Sequence, residues 1–187
     1  MTAEGLEVLL EEGEIEAIVR RVAGELSDRY DDGVVLISVL RGSVPFLADL
    51  VRSMTIRSVV DFVAITPYKP GTGRVRLLMD ITTDIRDREV VVVEDIVDTG
   101  LTSAFLMGEL SRREPRSLAI CTFVDRPARR VVPVDLAHVG IEIPDEFVIG
   151  YGLDHQGRYR NARVLATADT AILAQDPDAY VESLYGA

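Results

Sequence analysis

Glu94, Asp95, Asp98, Thr99, Gly100 and Thr102 stand in one short run, Glu94-Asp95-Ile96-Val97-Asp98-Thr99-Gly100-Leu101-Thr102. The second half of the run suits a phosphate. A loop that opens a helix offers free backbone N–H groups and the positive end of a helix dipole. Gly100 lets backbone approach an anion with no Cβ in the way, and Thr99, Thr102 and Ser103 add hydroxyl donors. The acids at the front would repel a bare phosphate. They fit ribose hydroxyls, or a Mg²⁺ ion that a pyrophosphate also binds.

The elements around the run must aim it. Val90 to Val93 precede it, and four successive valines read as a strand buried on both faces, as in a parallel sheet. Ala104, Phe105, Leu106 and Leu110 follow with helical spacing. The same strand–polar loop–helix order occurs earlier: Val34 to Leu40, then Arg41-Gly42-Ser43, then a helix through Pro45, Phe46, Leu47 and Leu50. Glu14 to Tyr30 carries one apolar helical face. Further strands are expected at Val59 to Ile65, Val75 to Met79, Arg116 to Val124 and Arg160 to Ala166, with Phe147 to Asp154 extended and a terminal helix over Pro177 to Tyr185. This alternation predicts an α/β fold with a mostly parallel sheet and helices on both faces, its ligands at the carboxyl ends of the strands. Arg41, Glu94, Asp95, Asp98 and Arg126 all fall at such ends.

Composition narrows the partners. The chain of 187 residues suits one domain, 1–187, and 48% of it is hydrophobic. No apolar run approaches the roughly 20 residues of a membrane helix, so no membrane partner is expected. The net charge of −11 argues against a nucleic-acid partner. Any anion site must be local. A lone cysteine, Cys121, fits a reducing, cytoplasmic setting.

The run from Val90 to Thr102 resembles the phosphoribosyl-pyrophosphate (PRPP) motif of type I phosphoribosyltransferases. Three more segments extend the likeness to the hypoxanthine-guanine phosphoribosyltransferases of purine salvage: Leu40-Arg41-Gly42-Ser43 with Phe46 to Leu50, Tyr68 with Gly71-Thr72-Gly73, and Ile143 to Asp154. The resemblance implies the type I fold, with a small hood drawn mainly from residues 125–165, a flexible loop, Mg²⁺ as cofactor and a homodimer or homotetramer. The implied reaction joins hypoxanthine or guanine to PRPP, giving IMP or GMP and pyrophosphate.

It also implies roles. Asp98 would be the general base near purine N7, and with Thr99, Gly100, Leu101 and Thr102 it would cradle the 5′-phosphate. Glu94 and Asp95 would hold the ribose hydroxyls or their metal, and Asp154 a second metal. Arg41, Gly42 and Arg160 would meet pyrophosphate. Arg126, Phe147, Val148 and Asp154 would bind the purine. Tyr68, Gly71, Thr72 and Gly73 would belong to the closing loop, and the Leu40–Arg41 peptide would be cis. The chain departs from the family at Arg126 and Arg41, where lysine is usual, and at Pro67, where serine is usual. Two other readings share these residues: transfer to xanthine or another base, and a PRPP- or nucleotide-sensing regulator of the same fold.

Overall fold

The computed structural model describes residues 3–66 and 76–186. Their elements, in chain order, are β1 (Leu6–Leu10), α1 (Glu12–Arg29), β2 (Val34–Leu40), α2 (Val44–Ser53), β3 (Ser58–Ile65), β4 (Leu77–Met79), β5 (Glu89–Val97), α3 (Leu101–Ser111), β6 (Ser117–Asp125), β7 (His138–Glu142), β8 (Val148–Ile149), β9 (Leu165–Ala168), α4 (Thr170–Gln175) and α5 (Val181–Tyr185). Pro67, Tyr68, Gly71, Thr72 and Gly73 lie outside the described residues.

Six strands form the main sheet in the order β4-β3-β2-β5-β6-β7. All its pairings are parallel except β3 with β4. The continuous apolar runs explain the middle: Val34–Ile37 and Val90–Val93 are each at most 2% exposed, buried on both faces as a parallel strand requires. One face packs under α1 and α2 through Val22, Leu26, Phe46 and Leu50, with Val91, Val93 and Phe123 from the sheet. The other packs under α3 through Leu106 and Leu110, against Val35, Ile37, Val90 and Val92.

The chain leaves β2 through α2 toward β3, and leaves β5 through α3 toward β6. Strands β2 and β5 are neighbours, so the connections part between their carboxyl ends. That crevice is the switch point where open α/β sheets bind ligands.

A second sheet, β1-β9-β8, is antiparallel and stands apart. It draws on the N-terminal strand and on Leu165–Ala168 as well as on the stretch between residues 125 and 165. Its own cluster contains Leu6, Ile149, Tyr159, Ala166, Leu173 and Tyr180.

Four boundaries differ from the sequence expectation. Strand β5 runs through Glu94 to Val97, still paired with β6, rather than stopping at the valines. The strand expected over Arg160 to Ala166 begins only at Leu165, because Tyr159 takes a left-handed φ of 72° and the Ala162 N–H bonds to the Tyr159 carbonyl in a turn. The extended reading of Phe147 to Asp154 holds only for β8, since Gly150, Tyr151 and Gly152 have φ of 95°, 44° and 99°. The terminal helix is confined to Val181–Tyr185, and α4 precedes it, with the Asp169 carboxylate accepting from the Ala171 N–H at 2.7 Å.

Candidate active site

Two loops meet at the switch point. The first follows β2. Its Leu40–Arg41 peptide is cis, and Arg41 is exposed. The Ser43 hydroxyl turns back into the sheet, where it donates to the Val39 carbonyl and pairs with Ser38 Oγ at 2.6 Å. Gly42 is fixed by contact, not conformation: a Cβ there would meet Asp95 Oδ2 at 1.5 Å.

The second loop follows β5. Gly100 starts α3 with φ 81°, and an added Cβ would sit 2.4 Å from the Val132 carbonyl oxygen. The N–H groups of Val131 and Val132 in turn bond to the Thr99 carbonyl at 2.9 and 3.0 Å, holding the loop from outside. In the first turn of α3 the Leu101 N–H donates to the Thr99 hydroxyl at 3.4 Å, and the N–H groups of Thr102 and Ser103 are left to face an anion. Thr99, Gly100, Thr102 and Ser103 line a cavity of about 270 Å³ together with Arg41, Gly42, Glu94, Asp95, Asp98, Asp154 and Arg160. Leu101 is half-buried in the first turn of α3.

The acids are not a solvated strand end. Glu94 is 3% exposed, and its Oε1 accepts the Ser103 hydroxyl at 3.0 Å. Ser103 thus serves Glu94 instead of acting as the free donor its position suggested. Burial pushes the Glu94 carboxyl up to about 8, the neighbouring Asp95 adds to the rise, and the Ser103 bond opposes it. Burial likewise raises Asp95 to about 6, against the Ile96 N–H and Arg160 and with Asp154 adding. Two adjacent carboxyls, one buried and one half-buried, resist ionising together, and a bound cation would favour their charged form.

Arg160 closes this side. Its Nη2 pairs with Asp154 Oδ1 at 2.5 Å and its Nη1 donates to the Gly152 carbonyl at 2.7 Å. The other Asp154 oxygen accepts the Gly157 N–H at 2.7 Å, so this carboxylate also caps a turn.

A second cavity, of about 240 Å³, is lined by Asp95, Ile96, Arg126, Phe147, Val148, Leu153 and Asp154. Phe147 is half-buried and meets His155 edge-on at 6.0 Å, while Val148 is buried in β8. Arg126, 6% exposed, donates from Nε at 3.3 Å and Nη2 at 2.8 Å to the two oxygens of Asp98. Its Nη1 donates to the Glu146 carbonyl. Asp95, Ile96 and Asp154 belong to both cavities, so the two abut.

Residues 6–156 match the family model of the phosphoribosyl transferase domain. The chain belongs to the phosphoribosyltransferase family. This phosphoribosyltransferase is 40% identical over 178 residues to a hypoxanthine-guanine phosphoribosyltransferase of Mycobacterium avium, covering 90% of this chain and 88% of the relative. It is 44% identical over 162 residues to the hypoxanthine phosphoribosyltransferase of Escherichia coli K12, covering 83% and 91%. Among solved structures it is similar to a variant of the Trypanosoma cruzi hypoxanthine phosphoribosyltransferase complexed with its product IMP. That match has a TM-score of 0.86 and 35% identity, over 94% of this chain and 97% of that one.

The phosphoribosyltransferase brings Arg41, Gly42, Glu94, Asp95, Asp98, Thr99, Gly100, Thr102, Asp154 and Arg160 around one cavity, and Arg126, Phe147 and Val148 around the next. Sequence reasoning missed Ile96 and Leu153, whose apolar side chains also line the second cavity. Nothing in their types marks them.

Proposed function

We propose that this enzyme transfers phosphoribose from PRPP to hypoxanthine and guanine, forming IMP or GMP and pyrophosphate. The observation that carries the reading is the pair of abutting cavities. One is walled by anion-suited loops and acids, the other by Phe147, Val148 and Leu153 with Arg126 at its edge.

In this reading a purine lies in the apolar cavity, stacked on Phe147. Arginine has five donors in a planar fork. Three of its N–H groups engage Asp98 and Glu146, so two remain to reach a 6-oxo group. The 5′-phosphate sits on the backbone N–H groups from Thr99 to Thr102. Glu94 and Asp95 accept the ribose hydroxyls. Purine N9 forms a bond to C1 of the ribose as the bond from C1 to the pyrophosphate oxygen breaks. The purine proton passes from N7 to the Asp98 carboxylate. Arg160 and the N–H groups of the Arg41–Gly42 loop take the charge that grows on pyrophosphate.

The donors fit Mg²⁺, a hard ion that takes one or two carboxylates and completes its shell with substrate oxygens and water. Glu94 and Asp95 would hold one ion and Asp154 a second, and the crowding of Glu94 and Asp95 gives a cation something to offset. When bound, the ion supplies positive charge at the pyrophosphate. The lone cysteine, Cys121, which has no partner within the chain for a disulfide, supports a reducing, cytoplasmic location. Exposed Val59, Val60, Leu78 and Met79 on the β3–β4 edge support a homo-oligomer.

The test is a spectrophotometric panel of hypoxanthine, guanine, xanthine, adenine and uracil with PRPP and Mg²⁺. Turnover is expected with hypoxanthine and guanine and not with adenine or uracil. Turnover with xanthine above that with hypoxanthine, or with no base at all, would overturn the reading.

A further inference from the structure

Tyr151 sits in a conformation that needs a reason. It is the middle of three successive residues with positive φ, and the only one with a side chain. A non-glycine residue held there costs of order 1 kcal/mol or more and persists where its surroundings over-determine it. Its flanking glycines are forced by close backbone approach. A Cβ on Gly150 would lie 2.1 Å from the Val164 carbonyl oxygen, and one on Gly152 would lie 1.9 Å from that of Gly42. The turn is pinned by hydrogen bonds from the Tyr151 N–H to the Ala162 carbonyl at 3.0 Å and from the Gly152 N–H to that of Arg160 at 2.8 Å.

The side chain is anchored on the opposite element. The Tyr151 ring packs on Phe123 at 4.8 Å, and Phe123 packs on Phe46 of α2 at 5.3 Å. The Tyr151 hydroxyl donates to Asp49 Oδ2, also on α2, at 2.7 Å. Burial raises the phenol pKa and the Asp49 carboxylate raises it further, so the group is a neutral donor throughout the working pH range. Helix α2 is the direct continuation of the Arg41–Gly42 loop. Tyr151 therefore grips that helix from the strand-turn whose next residue, Gly152, touches the Gly42 carbonyl and accepts from Arg160.

We propose that the Tyr151–Asp49 hydrogen bond is a positioning device for pyrophosphate: it sets the Gly42 loop against Gly152 and Arg160 so that the two halves of the pyrophosphate site are in register. Neither residue touches a reacting atom. The inference rests on the phosphoribosyl-transfer reading above.

The experiment is steady-state kinetics in both directions on Tyr151→Phe, Asp49→Ala and the double variant, beside wild type and with thermal melts. Tyr151→Phe keeps the ring and loses only the hydroxyl. Losing a hydrogen bond to a charged partner corresponds to about a tenfold effect or more. The KM for PRPP, and for pyrophosphate in the reverse reaction, is expected to rise about tenfold, while that for hypoxanthine changes less than twofold. Since the two residues act through one bond, the double variant is expected to be no worse than either single one. Unchanged KM for PRPP, an equal rise for both substrates, or losses that multiply in the double variant would each overturn the inference. Should Tyr151→Phe fail to fold, the split in KM for Asp49→Ala, an exposed helix position, decides. An inactive wild type would overturn the functional reading and this inference with it. An active wild type with an indifferent pair would overturn this inference alone.

Discussion

Asp98 and Arg126 form one unit, and a change in either is felt by both. Asp98→Asn keeps the shape and an accepting oxygen but cannot take a proton. General base catalysis contributes about 10²–10⁴-fold, so turnover is expected to fall within that range while PRPP still binds by calorimetry. Near-normal turnover would take Asp98 out of the base role. Arg126→Lys replaces a planar fork by one point charge on a flexible stem. It cannot hold both Asp98 oxygens and the Glu146 carbonyl together. Its KM for hypoxanthine is expected to rise about tenfold, with that for PRPP moved far less; an unchanged value would mean the fork does not reach the base. The residue types of this unit were legible in the chain, because the strand–loop–helix pattern put both at strand ends. Their mutual grip was not. They are separated by a helix and a strand, and nothing local in either segment requires the contact.

Among the elements, the parallel strands declared themselves and the edges did not. Val34–Ile37 and Val90–Val93 are apolar without interruption because both of their faces are covered. Strand β1 is five residues with a mixed burial pattern, and β7 contains Gly140, so neither carries a clear period. In β7 the reason is physical. A Cβ on Gly140 would meet the Phe123 carbonyl oxygen at 2.4 Å, so this position must be glycine where β-propensity would ask for bulk.

Asp61 in β3 shows how a strand fixes the approach to its neighbour. Its Oδ2 accepts the N–H groups of Thr82 at 2.8 Å and Thr83 at 2.7 Å, and its Oδ1 accepts that of Phe62 at 2.7 Å. Burial raises this carboxyl, but the bonds from Thr83, Phe62 and Thr82 outweigh it and lower it to about 2. A carboxyl depressed on folding stabilises above its ordinary pKa and loses that contribution as pH falls through the folded value. Asp61→Asn is therefore expected to cost about 1 kcal/mol at pH 7, roughly 2–4 °C in Tm. The two melting curves should converge as pH drops from about 4 toward 2. A difference that stays constant over that window would show that charge plays no part.

At the scale of the whole molecule, the second sheet has its own core, apart from the two that flank the main sheet. Leu6 belongs to it, packed with Ile149, the neighbour of Val148 in β8. Leu6→Ala should cost about 2–5 kcal/mol in the packing of this sheet. Val148 lines the cavity proposed for the base, while the cavity proposed for PRPP is built on β2, β5 and α3, so the KM for hypoxanthine is expected to rise several-fold more than that for PRPP. Equal rises would mean that the two sheets respond as one body.

Strand β9 pairs with both β1 and β8, and among the described residues it is the last strand. On a ribosome, β2 through β6 emerge and can assemble while β9 is still unmade, and β1 must wait without a partner through most of synthesis. The growing polypeptide thus presents the two loops at the switch point before Asp154, Arg160 and the second sheet exist to complete the cavity. Arrested nascent chains of increasing length should resist protease across β2 to β6 first, and gain protection of β1 only once Ala168 has cleared the exit tunnel.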